Sequence, residues 1–258
     1  MKRRAFLGAS LAALGAAEAE AAAEEAGRKA GDLYELRVYT LPAGKQKMLD
    51  AYLGKAYLPA LKGLGVGPVG VFAEKTPDAL KYYVLAVHQQ ADMIVDLPGK
   101  LAADAAYRKA AAKYLAAPAG EPVYDRIDSS VLTALEGMRR LKKPDTSKPR
   151  LLNLRVYESH NERAGKKKIE MFNKAELAIF RRVGLTPVFF AETVVGRAMP
   201  NLTYMLVFPD EAGRKAAWDR FRADPEWLKL RAVPEYADKE IVSHITNLIL
   251  TPTAYSEI

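Results

Sequence analysis

Leu36-Arg37-Val38-Tyr39 returns as Leu154-Arg155-Val156-Tyr157, 118 residues further on (155 − 37). Working outward, Gly67-Pro68-Val69 is echoed by Thr186-Pro187-Val188, and Tyr83-Val84-Leu85 by Tyr204-Met205-Leu206. Asp104-Ala-Ala-Tyr107 likewise matches Asp224-Pro-Glu-Trp227. These later offsets are 119 (187 − 68), 121 (204 − 83) and 120 (227 − 107). A spacing that drifts only by loop-sized amounts marks two copies of one supersecondary unit. Two copies of that length suit two small domains rather than one large sheet.

Hydrophobicity alternates along 151–159, with Leu152, Leu154 and Val156 on one side and Asn153, Arg155 and Tyr157 on the other. That period predicts a strand. Over 162–183, Ile169, Phe172, Ile179 and Val183 recur at helical spacing, and Gly184 follows as a left-handed cap. Strands are predicted at 187–195 and 203–208, joined by the turn-rich 196–201. A helix follows from 210, with a second opening at Asp224-Pro225, and a fourth strand over 241–250. The first copy gives strands at 34–41, 66–74, 81–89 and 124–132, and helices at 45–64 and 91–117.

The order β-α-β-β-α-β is the ferredoxin-like unit, and it occurs twice in tandem, an α+β fold. Each unit covers one sheet face with helices and leaves the other bare. Two bare faces bury each other in an eight-stranded α/β barrel of the dimeric type, enclosing a cavity. The expected organisation is 1–21 as an export signal, 22–32 as a tether, 33–135 and 151–258 as the two domains, and 136–150 as a linker with two prolines. Closure within one chain allows a homo-oligomer without requiring one.

The chain has 258 residues and no cysteine, which removes disulfides, thiolate nucleophiles and thiolate metal sites. Its histidines, His88, His160 and His244, have no close ligand spacing, so neither metal nor cofactor is expected. The net charge of +8 is scattered, and its densest runs, such as Lys166-Lys167-Lys168, lack interleaved aromatics. The charge therefore reads as solvated helix faces rather than a nucleic-acid surface.

Met1-Lys-Arg3-Arg4-Ala-Phe6-Leu7 opens onto a short apolar run and Ala-x-Ala sites around Ala17-Glu18-Ala19-Glu20-Ala21. This is an export-signal pattern, and the paired arginines resemble a twin-arginine signal, with Lys2 where Ser or Thr is usual. The run is too short to span a bilayer. The mature chain is expected to be periplasmic or secreted, with no stable membrane span.

Alternation also suggests what lines the cavity. With Leu36, Val38, Leu154 and Val156 toward the helices, Glu35, Arg37, Tyr39, Asn153, Arg155 and Tyr157 would point inward, as would Arg126, Asp128, Ser130, His244 and Thr246. Buried charges need partners. Glu35 and Asp128 could neutralise Arg37 and Arg126, or the arginines and tyrosines could grip a small acidic or phenolic molecule through a bidentate fork. His160, just past a strand end, is a candidate general base or a surface histidine. Glu176 falls on an apolar helix stripe, as a paired structural charge or a catalytic carboxylate with a raised pKa. Glu192, beside Phe189-Phe190-Ala191, is read as solvent-exposed.

Leu154-Arg-Val-Tyr-Glu-Ser-His160, Lys168-Ile-Glu-Met-Phe-Asn173, Gly184-Leu-Thr-Pro-Val-Phe-Phe190 and Met199-Pro-Asn-Leu-Thr-Tyr-Met-Leu206 resemble the NIPSNAP family. Asp224-Pro-Glu-Trp227, Ile241-Val-Ser-His-Ile-Thr-Asn247 and Tyr255-Ser256 extend the likeness. It covers 151–258 closely and 33–135 more loosely. The resemblance implies tandem domains of the dimeric α/β barrel type and no generally accepted enzymatic activity. Eukaryotic members of that family are interaction proteins of mitochondria, trafficking and mitophagy, a role that does not transfer to a chain with a bacterial-type signal. The wider superfamily includes cofactor-independent monooxygenases and haem-handling proteins, but kinship of fold does not carry chemistry. None of their catalytic motifs is present, so no catalytic residue is carried over.

Three functions stay open: a small-molecule binding barrel, a cofactor-independent monooxygenase or isomerase, and a protein-interaction module. Binding is favoured over catalysis.

Overall fold

In a computed structural model, residues 31–75 and 80–258 are described. The export-signal pattern lies outside them, as does most of the tether. Residues Asp32–Ile258 form one compact unit.

Eight antiparallel strands close a barrel: β1 (Leu33–Leu41), β2 (Val69–Lys75), β3 (Leu80–His88), β4 (Arg126–Ala134), β5 (Leu151–Glu158), β6 (Thr186–Val195), β7 (Asn201–Phe208) and β8 (His244–Pro252). Around the barrel the order is β1-β3-β2-β8-β5-β7-β6-β4. Each half supplies four contiguous strands in the order 4-1-3-2, and two seams, β2–β8 and β4–β6, join the halves.

Helix α1 covers 46–63 and α4 covers 162–183, each packed on its own half's sheet. Helices α2 (Ala91–Ala103) and α3 (Ala105–Leu115) follow β3; α5 (Glu211–Ala223) and α6 (Pro225–Arg231) follow β7. The helix-rich stretch expected over 91–117 divides at Asp104, whose carboxylate accepts from the Ala106 and Tyr107 amides. Asp224 does the same for Glu226 and Trp227, 120 residues later (224 − 104). Such a cap is worth about 1 kcal/mol. Gly184 takes φ +85°, the left-handed cap expected of it. A short helix, α7 (Asp238–Ile241), occupies the start of the expected fourth strand, so β8 begins at His244.

Both long helices are interrupted by a π turn at the same place. Leu53–Tyr57 lies in α1 and Phe172–Glu176 in α4, 119 residues apart (172 − 53). A π turn widens the helix by one residue and rotates the following side chains, and such turns concentrate at functional sites.

The faces of β1 and β5 run opposite to expectation. Tyr34, Leu36, Leu152 and Leu154 fill the barrel with Phe72, Leu85, Leu132, Phe189, Met205, Leu250 and Ile258. Tyr39 and Tyr157 instead pack under the helices. An eight-stranded barrel is only wide enough for side chains to fill it, so compact apolar residues belong inside. The layer between sheet and helix accommodates Arg and Tyr, whose apolar bodies pack while their polar ends reach the rim. The barrel is therefore an apolar core rather than a polar chamber. Each fully buried Leu or Phe there contributes about 1.5–3 kcal/mol.

The ladders correct one sequence equivalence as well. Arg37 pairs with Val84 and Arg155 with Tyr204, so Tyr204 corresponds to Val84 and not to Tyr83. One residue of slip reverses the face. Tyr83 points into the barrel and Tyr204 toward the helices.

Candidate functional site

Arg37, at the middle of β1, faces the helices of its own half. It lines a cleft of about 360 Å³ with Tyr52, Tyr57, Leu97, Pro98, Leu101, Ala102, Tyr107, Arg108 and Leu115. That volume suits a small ligand. The π turn carries Tyr57 to the guanidinium, whose carbon lies 5.5 Å from the ring centroid. The Tyr57 hydroxyl is buried with no hydrogen-bond partner among the described residues. Tyr52 and Tyr107 meet through their hydroxyls at 3.0 Å.

Behind Arg37 is a polar group buried in the sheet. Arg37 Nε and Ser129 Oγ both donate to Glu35 Oε1. His88 Nε2 lies 3.5 Å from Glu35 Oε2, beyond hydrogen-bond geometry, and neither atom has another partner among the described residues. Burial works to raise the Glu35 carboxyl, but His88, Arg37 and Ser129 together hold it below its ordinary value. Burial disfavours the charge on Arg37, and the Glu35 carboxylate bonded to its Nε offsets that and keeps the guanidinium protonated. Burial pushes the Tyr57 phenol up, with Arg37 opposing.

The second half repeats the frame with different contents. Ladder pairing makes Arg155 the counterpart of Arg37, Asn153 of Glu35 and Asn247 of Ser129. Arg155 Nη1 donates to Asn247 Oδ1 at 3.2 Å. Its guanidinium carbon lies 5.3 Å from the Tyr157 ring and 4.6 Å from the Trp218 ring. Trp218 Nε1 donates to Asn153 Oδ1 at 3.3 Å. Beside this cluster Lys168 and Glu176 form an ion pair walled by Tyr157, Phe172 and Trp227. Burial raises the Glu176 carboxyl, and Lys168 opposes it.

The structure thus separates the expected cavity residues. Arg37 and Tyr39 lie on the helix side of the first half, Arg155 and Tyr157 on the helix side of the second. Arg126 and Asp128 do face the barrel, at a polar mouth of about 410 Å³ with Ser130, Glu158 and Thr246. Asp128 is paired there with Arg197 at 2.8 Å, so it does not neutralise Arg126 in the way expected. His244 is exposed at the start of β8, across from Glu158. His160 is exposed before the Asn161 cap of α4 and lines a surface groove with Lys167, Glu235 and Lys239. It therefore stands apart from Arg155 and Tyr157. Glu176 lies sealed in its ion pair, and Glu192 pairs with Lys166 at the surface.

Sequence reasoning missed Tyr52, Tyr57, Pro98, Tyr107 and His88. The signal available for the tyrosines was their position in α1 and at the matched Tyr107/Trp227 pair; the π turn that orients Tyr57 has no sequence signature. Among the described residues no helix is long and apolar enough to cross a membrane, and no cluster of metal-ligating side chains is present.

These features define an intramolecular α/β barrel of two β-α-β-β-α-β units, each with an arginine under its helices. Residues 152–257 match the NIPSNAP family model. No curated protein sequence matches the chain. Among solved structures, a protein of Fusobacterium nucleatum subsp. nucleatum named as a candidate monooxygenase is similar at 10% identity and a TM-score of 0.60, covering 86% of this chain and 93% of its own. One of Lactobacillus acidophilus, similarly named, gives 10% identity and 0.57, covering 86% and 94%. An uncharacterised NIPSNAP-like domain protein of Burkholderia xenovorans gives 19% identity and 0.38, covering 42% and 88%. The first two establish a shared fold over most of the chain.

Proposed function

We propose that the chain binds a small molecule with an acidic or phenolic group in the cleft of the first half, anchored by Arg37. The observation that carries this reading is the pairing of an arginine with a buried, unpartnered Tyr57 hydroxyl at a cleft of ligand size. Arg offers planar donors on one side and a stacking face on the other. Native mass spectrometry of the purified protein tests it. A small molecule that co-purifies with the wild type and is lost from a folded Arg37→Ala variant supports the reading; equal retention in that variant rejects it.

A second reading, cofactor-independent catalysis as a monooxygenase or isomerase, uses the same cleft. The buried Glu35–His88 pair behind Arg37 favours it, because a carboxylate and an imidazole together can hold or move a proton. The two solved structures named as candidate monooxygenases share the fold with this chain, which is compatible with the reading and does not select it. Turnover of the bound molecule that stops in His88→Gln while binding persists would favour catalysis. Unchanged turnover in that variant would remove His88 from it.

We propose further that both halves, 33–135 and 151–258, are NIPSNAP-type units and that residues 1–21 direct export by the twin-arginine route, leaving the mature chain periplasmic or secreted. Changing Arg3 and Arg4 to Lys should retain the protein in the cytoplasm, which fractionation measures.

A further inference from the structure

The cleft on Arg37 and the cluster on Arg155 are the same place in two copies of one unit, and their difference points to what the cleft is shaped to take. Helices α2 and α5 have equal length and are offset by 120 residues (211 − 91). Buried Leu97 and Leu101 of α2 then correspond to buried Ala217 and Phe221 of α5, and Pro98 to Trp218. Pro98 lines the cleft. In the second half the corresponding side chain is an indole lying on the arginine, with its N–H given to Asn153. Arg155 thus has two rings within cation–π range, whereas among the described residues Arg37 has one, Tyr57.

Resting on the binding reading above, we propose that the ligand of the first half is a flat aromatic molecule with an O–H or N–H group at its edge, seated on Arg37 where Trp218 sits on Arg155. Three observations converge on that class. The guanidinium lacks the second ring that its counterpart has. Glu35 stands where Asn153 accepts the indole N–H, and Glu35 Oε2 is a buried acceptor whose nearest donor, His88 Nε2 at 3.5 Å, lies beyond hydrogen-bond geometry. The Arg37 charge is already matched by Glu35, so the one cleft cation left for an anionic ligand is the exposed Arg108, whose Nη1 is given to the Ala102 carbonyl. A neutral ring needs no counter-charge, and it satisfies both the open face of the arginine and the waiting acceptor.

The test uses 2-naphthol as the aromatic probe and octanoate as an aliphatic acid, titrated calorimetrically into the full-length protein. The expected result is one 2-naphthol per chain and no octanoate. Pro98→Trp, which supplies the indole in place, should weaken 2-naphthol at least tenfold while circular dichroism stays that of the wild type. Arg37→Lys, which keeps the charge and loses the planar face, should weaken it about tenfold. Trp218→Ala should empty the second cleft and raise the stoichiometry to two, a readout independent of whether Pro98→Trp folds. Octanoate binding that Pro98→Trp blocks, with no 2-naphthol binding, would overturn the aromatic assignment and leave the cleft reading standing. Binding of neither probe, or 2-naphthol binding unchanged in folded Pro98→Trp, would overturn both. A stoichiometry still at one in folded Trp218→Ala would overturn the equivalence on which the assignment rests.

Discussion

Lys168 Nζ lies 3.3 Å from Glu176 Oε2, and each side chain is only 2% exposed. The pair is set eight residues apart across the π turn of α4, so the widened turn faces a carboxylate toward an ammonium among aromatic rings. Removing one member of such a pair leaves an uncompensated buried charge, which costs about 3–5 kcal/mol. Lys168→Ala is therefore expected to lose about that much in urea denaturation. Lys168→Met with Glu176→Leu should stay within about 1 kcal/mol of the wild type or exceed it, because the desolvation penalty is removed along with the attraction. Similar losses in the single and double variants would show that packing, not charge, dominates there.

Glu35 makes stability depend on acid. Its folded pKa lies below the unfolded value, so its contribution is present above the unfolded carboxylate range, about 4.3, and fades as pH falls through the folded value. Glu35→Gln should cost roughly 1–3 kcal/mol at pH 7, where charged hydrogen bonds are lost. The gap between wild type and variant should narrow below about pH 4. Melting temperatures of both proteins at pH 3 and pH 7 measure this, and a constant gap would contradict it.

At the β2–β8 seam the ladder is short, with Phe72 opposite Pro252 and Ala73 opposite Thr251. The following segment continues the pairing by other means. The Val71 amide donates to Ser256 Oγ at 3.0 Å and the Val69 amide to Glu257 Oε2 at 2.8 Å. Ser256→Ala strands the buried Val71 N–H, an expected cost of about 1–3 kcal/mol. Faster hydrogen exchange at Val71 in that variant, without change in β5–β7, would locate the loss at the seam.

The other seam depends on Gly196, which has φ +153° and faces Ser130. A Cβ there would come within 2.6 Å of the Ser130 Cβ and 3.1 Å of its Cα. Gly196→Ala should destabilise by about 1–3 kcal/mol, through both the forbidden φ and the overlap. Pairing it with Ser130→Gly should recover part of the loss; no recovery would assign the whole effect to the backbone angle.

The duplication and the order of elements were legible because the repeat, the helical stripe and Gly184 are local signals. Parity was legible on β4 and β8, where Arg126, Asp128 and Thr246 mark the barrel side of each strand. It failed on β1 and β5 because both faces of those strands are buried, so alternation separates two sets of residues without saying which lies inside. Leu36 looks like a helix-facing residue until the narrowness of the barrel is considered. The cleft was illegible for a different reason. Its walls come from α1, α2 and α3; the 120-residue offset pairs Pro98 with Trp218 in sequence, but only the structure shows one lining the cleft and the other lying on Arg155.

The two seams are built alike. After β4, the Leu135 amide donates to the Phe190 carbonyl and the Lys142 amide to the Val188 carbonyl. After β8, the Thr253 amide donates to the Val71 carbonyl and the Glu257 amide to the Val69 carbonyl, acceptors 119 residues earlier (190 − 71 and 188 − 69). Each half thus fastens a trailing strap onto the other. Tethering turns what two separate copies would do by collision into a unimolecular event, so the fold does not weaken on dilution. It also ends the identity of the partners. Two separate copies of one sequence must carry the same cleft twice, whereas a tethered pair can furnish one and vacate the other, dividing between its halves the work of holding the barrel together and the work of receiving a guest.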